Sequence, residues 1–211
     1  MVLRVATDCS GIEAPIQALQ QLKIPFKHVW ASDIDKDCIK QIKANFKPQI
    51  IYGDPDGPYK NGDITQRDNR SLPNIDLYIA GFPCQAFSQI GKGLGFKDPR
   101  GNVFFSCLDV IKRKRPRMFI LENVKGLLSN DKGRTWDVIW NELQKLKKIG
   151  YDVDWKLLNT KDYGLPQSRP RIYIIGKKNK KIEWPLKTKM KDIRSFVDYK
   201  DNTKYNTSEK L

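Results

Sequence analysis

The residue types able to do covalent or acid–base work fall at a few points in this chain. Cys84 closes the string Asp76-Leu-Tyr-Ile-Ala-Gly-Phe-Pro-Cys84, where an apolar run meets Gly81 and Pro83. A thiol carried out of a strand on a stiff Gly and Pro turn can attack an electrophilic carbon, whereas one packed at a strand end stays inert. Glu122 ends a second apolar run, from Met118, and reads as an acid at a strand end or as a helix cap. Gln167-Ser-Arg169-Pro-Arg171 sets two guanidiniums before the run Ile172 to Gly176, as donors to a substrate oxygen or as a phosphate-binding turn.

Nearer the N-terminus, Asp8-Cys9-Ser10-Gly11-Ile12-Glu13 is a glycine-bearing turn after one apolar run, and Asp33-Ile34-Asp35 follows another. A turn that lets backbone approach a ligand, then an acid able to accept from two ribose hydroxyls, is the general plan for holding an adenosine. Each half also has a plainer reading: Gly11 as an ordinary turn, Asp33 as a helix N-cap.

These groups need a scaffold that brings their turns to one edge. Leu3 to Thr7 reads as a strand and Ile12 to Leu22 as a helix; His28 to Ser32 and Lys36 to Asn45 repeat the pair, with Ile39, Ile42 and Phe46 facing inward. Ile50 to Tyr52, Leu77 to Ala80 and Met118 to Glu122 read as three more strands, with a turn-rich Asp54 to Gly62 and a helical Phe104 to Lys112 among them. Thr135 to Ile149 is an amphipathic helix whose stripe Trp136, Ile139, Trp140, Leu143 and Leu146 belongs in the core. Val153 to Leu158 and Ile172 to Gly176 have no long helix between them, which predicts an antiparallel pair at the edge of a mostly parallel sheet. The expected architecture is a doubly wound, Rossmann-like α/β domain with the turns after Thr7, Ser32 and Ala80 on one rim.

At 211 residues the chain has enough material for one substantial core. Its 39 Lys and Arg against 24 Asp and Glu give a net charge of +15, which favours a polyanionic partner, nucleic acid first. Lys112-Arg113-Lys114-Arg115-Pro116-Arg117 and the lysines at 177, 178, 180 and 181 concentrate that charge. No signal peptide is evident and no apolar run approaches the roughly 18 residues of a membrane span, so a soluble, intracellular protein is expected. The four cysteines lack C-x-x-C spacing, and His28 is the one histidine available to join them, so neither a metal site nor a disulfide framework is expected.

Gly81-Phe-Pro-Cys-Gln-Ala-Phe-Ser88, Glu122-Asn123-Val124 and Gln167-Ser-Arg-Pro-Arg171, in that order, resemble the motifs of the DNA cytosine-5 methyltransferases. Asn159 to Pro166 resembles the family's segment just upstream of the last of these, and the similarity runs from about Val5 to Gly176. The resemblance implies an S-adenosylmethionine-dependent methyltransferase fold and methylation of cytosine C5 in DNA, of the kind that accompanies restriction. It implies that Cys84 adds to C6 of an extruded cytosine, that Glu122 contacts N3 and the exocyclic amine, and that Arg171 donates to O2. Asn123 would order the loop, and Arg169 and Gln167 would buttress the site. The cofactor pocket would comprise Asp8, Cys9, Ser10, Gly11, Ile12, Asp33, Ile34, Asp63, Ile64, Gly81 and Pro83, with Asp63 at the adenine edge. Gln85, Ser88 and Gln89 would lie near the extruded nucleotide, and Gln89 to Gly101 has the glycine content of a covering loop.

The chain departs from the family pattern at the cofactor turn. Cys9 stands where a Phe usually stacks on adenine, and Glu13 and Ala14 replace two glycines. The family also continues into a target-recognition domain and a closing helix. Residues 1–176 are therefore expected to form the catalytic domain, with 177–211 a basic linker or tail that could begin the missing region. A second polypeptide supplying target recognition would complete the enzyme, and weak or absent methylation is expected of the isolated chain. A transfer-RNA cytosine-5 methyltransferase and a non-catalytic nucleic-acid-binding subunit are the competing readings.

Overall fold

A computed structural model describes residues 2–83 and 102–196. Its seven strands are β1 (Leu3–Asp8), β2 (Phe26–Ser32), β3 (Ile50–Tyr52), β4 (Leu77–Ala80), β5 (Met118–Val124), β6 (Tyr151–Asn159) and β7 (Pro170–Lys178). They form one sheet in the order β3-β2-β1-β4-β5-β7-β6. The first five in that order pair in parallel, while β7 runs antiparallel to both β5 and β6. This is the doubly wound α/β sheet with an antiparallel edge pair that the strand and helix rhythm predicts.

Among the described residues four α-helices complete the layers: α1 (Ala14–Gln21), α2 (Lys36–Asn45), α3 (Asn102–Lys114) and α4 (Arg134–Gln144). The carboxylate of Asp35 caps α2 by accepting from the backbone N–H of Asp37 at 2.7 Å and Cys38 at 3.1 Å, so the cap is Asp35 and Asp33 is left for other partners. The expected long helix over Thr135 to Ile149 ends earlier, at Gln144, and its last turn tightens into a 3-10 turn over Lys145–Ile149. Trp136 stacks on Trp140 at 5.9 Å and meets Trp155 of β6 edge-on at 4.7 Å, so the tryptophan stripe packs on the antiparallel pair.

The central strands are buried on both faces, and Val5, Ala6, Trp30, Tyr78, Phe119 and Ile174 are among the core residues. Gly176 is required where β7 faces Phe119 of β5, since a Cβ there would come within 2.0 Å of the Phe119 ring. Beyond β7 the chain does not leave the domain. Ile182 is buried, the Trp184 indole donates to Asp154 of β6 at 2.7 Å, and Thr188 N–H donates to Asp162 O at 2.9 Å. Residues 182–191 thus return along β6 toward the carboxyl ends of the parallel strands. No described helix is long and apolar enough to cross a membrane.

Candidate active site at the carboxyl rim

β1, β2, β4 and β5 all end at one edge of the sheet, and because β7 runs the other way it begins there. That reversal brings Arg171 beside the last residues of β5, in register with Val124. Its Nε lies 3.0 Å from Glu122 Oε1, and the two side chains keep 19% and 29% of their surface, which leaves the pair open to a ligand. Arg171 also donates from Nη1 to Pro170 O at 2.9 Å, and among the described residues its Nη2 donors have no partner. Tyr173, directly across from Glu122, has its phenol pushed up by burial and then by that carboxylate.

Asn123, nearly fully buried, donates from Nδ2 to Phe82 O at 2.8 Å and so ties β5 to the segment leaving β4. Gly81 lies between the two halves of the rim: a Cβ there would be 3.6 Å from Glu122 Oε2 and 3.8 Å from Cys9 O. Phe82 is buried and Pro83 exposed. Cys84, Gln85, Ser88 and Gln89, with the expected covering loop to Gly101, lie outside the described residues. Arg169 is exposed, and its backbone N–H donates to Asn159 Oδ1 at 2.9 Å. Gln167 is exposed as well, with its carbonyl accepting from Thr160 Oγ1 at 2.5 Å.

On the other half of the rim, Asp33 Oδ2 accepts from Gly11 N at 2.8 Å and Oδ1 from Asp35 N at 2.9 Å. One carboxylate therefore fixes both turns, with each oxygen retaining a lone pair. Gly11 has a left-handed φ of +54° and nothing within 4 Å of where a Cβ would sit. Ile12 and Ile34 flank it with 68% and 76% of their surfaces exposed. Exposure of two isoleucines beside an open glycine and a carboxylate suits a flat, partly apolar ligand carrying hydroxyls. The nearby Asp63 accepts from Thr65 N and Oγ1 through the same oxygen, Oδ1.

The sequence profile of the C-5 cytosine-specific DNA methylases matches residues 5–211. This chain belongs to that family. It is 44% identical over 193 residues to the Type II methyltransferase M1.ScrFI of Lactococcus lactis subsp. cremoris, covering 88% of this chain and 46% of that one. It is 40% identical over 179 residues to M.NlaIV of Neisseria lactamica, covering 82% and 40%. The chain thus spans less than half the length of these relatives. Among solved structures, the S. pombe Dnmt2 methyltransferase superposes with a TM-score of 0.69 at 22% identity, covering 96% of this chain and 61% of that one, which shows the shared fold.

Several rim residues of this chain have duties that its sequence does not announce. Asp8, expected at the cofactor, is 1% exposed and spent inside. Its carboxylate accepts from Arg67 Nη1 and Nη2 at 2.9 and 2.6 Å, from Trp30 Nε1 at 3.0 Å and from Tyr78 Oη at 2.7 Å. Burial opposes the Arg67 charge, but Asp8 more than offsets it and the guanidinium is held above its usual range. The Arg67 guanidinium also lies 4.8 Å from the centroid of the Tyr52 ring. Ile64, likewise expected at the cofactor, is 5% exposed and packed in the main core. Ser10 is a brace, donating to Thr7 Oγ1 at 2.9 Å and accepting from Ser32 N at 3.0 Å. Cys9 has its thiol pushed well up, first by burial and then by Cys107 and Asp8, and stays neutral.

Glu13 holds a backbone position that glycine favours and uses its side chain there. Its φ of 58° lies in the left-handed region that glycine favours, a cost of about 1 kcal/mol or more for another residue. Its fully buried carboxylate accepts from Thr7 Oγ1 at 2.6 Å and lies 3.3 Å from His28 Nε2, contacts no glycine could make.

Proposed function

We propose that this chain is the catalytic part of a methyltransferase that moves a methyl group from S-adenosylmethionine to cytosine C5 in DNA. The observation that carries the reading is the Glu122 and Arg171 pair, 3.0 Å apart and half-open on the rim, tied through Asn123 to the segment that leads into Cys84.

Cytosine C5 is a poor nucleophile until a nucleophile adds at C6. In the proposed route the Cys84 thiolate adds to C6 of an extruded base, and the C5–C6 π electrons become available at C5. Glu122, carrying a proton, donates to N3 and accepts from the exocyclic amine through its other oxygen, and the Nη2 donors of Arg171 meet O2. These contacts offset the negative charge that addition places on the ring. Bound S-adenosylmethionine would supply the electrophilic methyl group and leave as the neutral thioether; loss of the C5 proton to solvent with departure of the Cys84 thiolate then restores the aromatic ring.

The residues on the other half of the rim fit that cofactor. Ile12 and Ile34 offer apolar surface for its adenine, Asp33 offers acceptors for its ribose hydroxyls, and Gly11 and Gly81 leave room beside them. At position 9, Cys9 offers less surface than an aromatic ring would, a deficit of about 0.5–1.5 kcal/mol by analogy with aromatic pairs. Target recognition is assigned to a region beyond the described residues, either on the same polypeptide or on a second one.

Replacing Cys84 with Ala should abolish methyl transfer by the complete methyltransferase and leave the thermal melt unchanged; undiminished transfer would overturn the assignment. The same assay on duplex DNA and on transfer RNA should show transfer to DNA, and transfer confined to RNA would replace the substrate.

A further inference from the structure

The end of the sheet opposite the active site carries an unusual concentration of unpaired cations. Arg115 and Arg117 precede β5, Lys147 lies in the turn before β6, Lys178 ends β7, and Lys180 and Lys181 follow it. Backbone hydrogen bonds hold these segments together: Lys178 N–H donates to Arg117 O at 3.0 Å and Asn179 N–H to Gly150 O at 3.2 Å. Among the described residues none of the six cations forms an ion pair. Elsewhere many do: Lys43 meets both Asp54 and Asp56, Arg113 meets Asp109, and Lys187 meets Asp162. Between them opens a shallow depression of about 420 Å³, where Lys147, Lys180 and Lys181 outnumber the one carboxylate on its wall, Asp152.

The crowding of like charge registers at Lys178. The Lys178 ammonium is held below its usual range, first by burial and then by the charge of Arg115. It lies 5.4 Å from the centroid of the Tyr151 ring, which fixes its position without neutralising it. Lysines anchored to β-structure and a 3-10 turn, with arginines on the adjoining loop, form a pre-organised match for a row of phosphates.

Distance separates this surface from the rim. Arg171 and Lys178 lie at opposite ends of β7, seven residues apart, or about 23 Å at the usual rise of a strand. A base delivered to Glu122 and Arg171 enters from the carboxyl edge, so phosphates at the lysine end belong to another stretch of nucleic acid.

We propose that the amino end of the sheet is a second, sequence-independent surface for the DNA backbone, which grips duplex away from the one presented to the rim. The polyanion is taken to be DNA because the chain belongs to a DNA methylase family. The surface does not depend on the chemistry assigned to Cys84, and its test is independent of methyl transfer.

A duplex built of A·T pairs alone offers the rim no cytosine, and its binding to the full chain can be followed by fluorescence anisotropy across a salt series. The triple variant Lys147→Gln, Lys180→Gln, Lys181→Gln should weaken binding about tenfold or more at 0.1 M salt. It should also flatten the slope of log K against log salt by about 2 to 3, close to 0.9 for each phosphate that the lysines neutralise. Arg115→Gln with Arg117→Gln should act in the same direction, while Lys40→Gln, at a lysine of α2 already paired with Asp37, should leave the A·T affinity unchanged. An unaltered affinity and slope in the triple variant, with its melting temperature retained, would overturn the proposal. So would loss of binding to phosphatidylserine vesicles with A·T binding intact, which would make the surface a lipid one.

Discussion

Two carboxylate and arginine pairs lie within this sheet's carboxyl half, and they do opposite work. Asp8 and Arg67 are sealed, with side-chain exposures of 0% and 7%, and both Asp8 oxygens are taken by Arg67 together with Trp30 and Tyr78. Among the described residues, Glu122 and Arg171 make one contact with each other on a partly accessible edge and keep donors and acceptors in reserve. A buried pair with every partner supplied fixes geometry, and removing one member strands the other's charge in the interior. An open pair with spare capacity can exchange part of its bonding for a substrate. The difference separates scaffold from site more clearly than residue type does.

The contrast is broken most forcefully by Arg67→Met, which leaves Asp8 buried without its counter-charge. Urea unfolding should show a loss of about 3 to 5 kcal/mol, and a loss below about 1 kcal/mol would mean that the pair is not structural. Glu122→Gln sharpens it from the other side. Stability should change by no more than about 1 kcal/mol, as for exposed ion pairs, while methyl transfer by the complete enzyme should fall at least about 10²-fold. Equal damage to folding and to transfer would erase the distinction.

The smallest effect is a pH dependence of the sealed region. Cys107 is fully buried beside this network, and burial, then Asp8, push its thiol from 9.0 to about 12. Above pH 9 the unfolded thiol gives up its proton while the folded one retains it, so the unfolded state binds fewer protons and stability declines as pH rises. The contribution is full below pH 9 and is lost progressively between 9 and about 12. Urea midpoints measured between pH 8 and 11 should fall, and more gently in Cys107→Ala; identical slopes in the two proteins would assign the decline to other groups.

Most of the scaffold was legible because its signals are periodic and local. The apolar runs of β1 to β5 and the spacing of Ile39 and Ile42 on α2 place those elements within a few residues of where they lie. The antiparallel edge followed from the missing crossover helix. The internal partners of Asp8 were not legible, because Arg67 is 59 residues away in an irregular segment with no period to betray it. The available hint was an acid inside a run of core residues, a position where burial demands a counter-charge. Residues 182–191 read as tail because they are polar, yet the burial of Ile182 together with indole and backbone hydrogen bonds holds them to the sheet. At the rim, residue types gave Glu122 and Arg171 as candidates, and the reversed direction of β7 explains how they meet.

That reversal makes β7 a ruler. Nine residues set a guanidinium at one end and an ammonium at the other, and the pleat fixes which way each side chain points. Insert a single residue midway and everything past it would swing to the opposite side of the sheet. Phe119 would then lose the gap that Gly176 leaves for its ring, so the strand's length, its phase and the fit of the core are a single constraint.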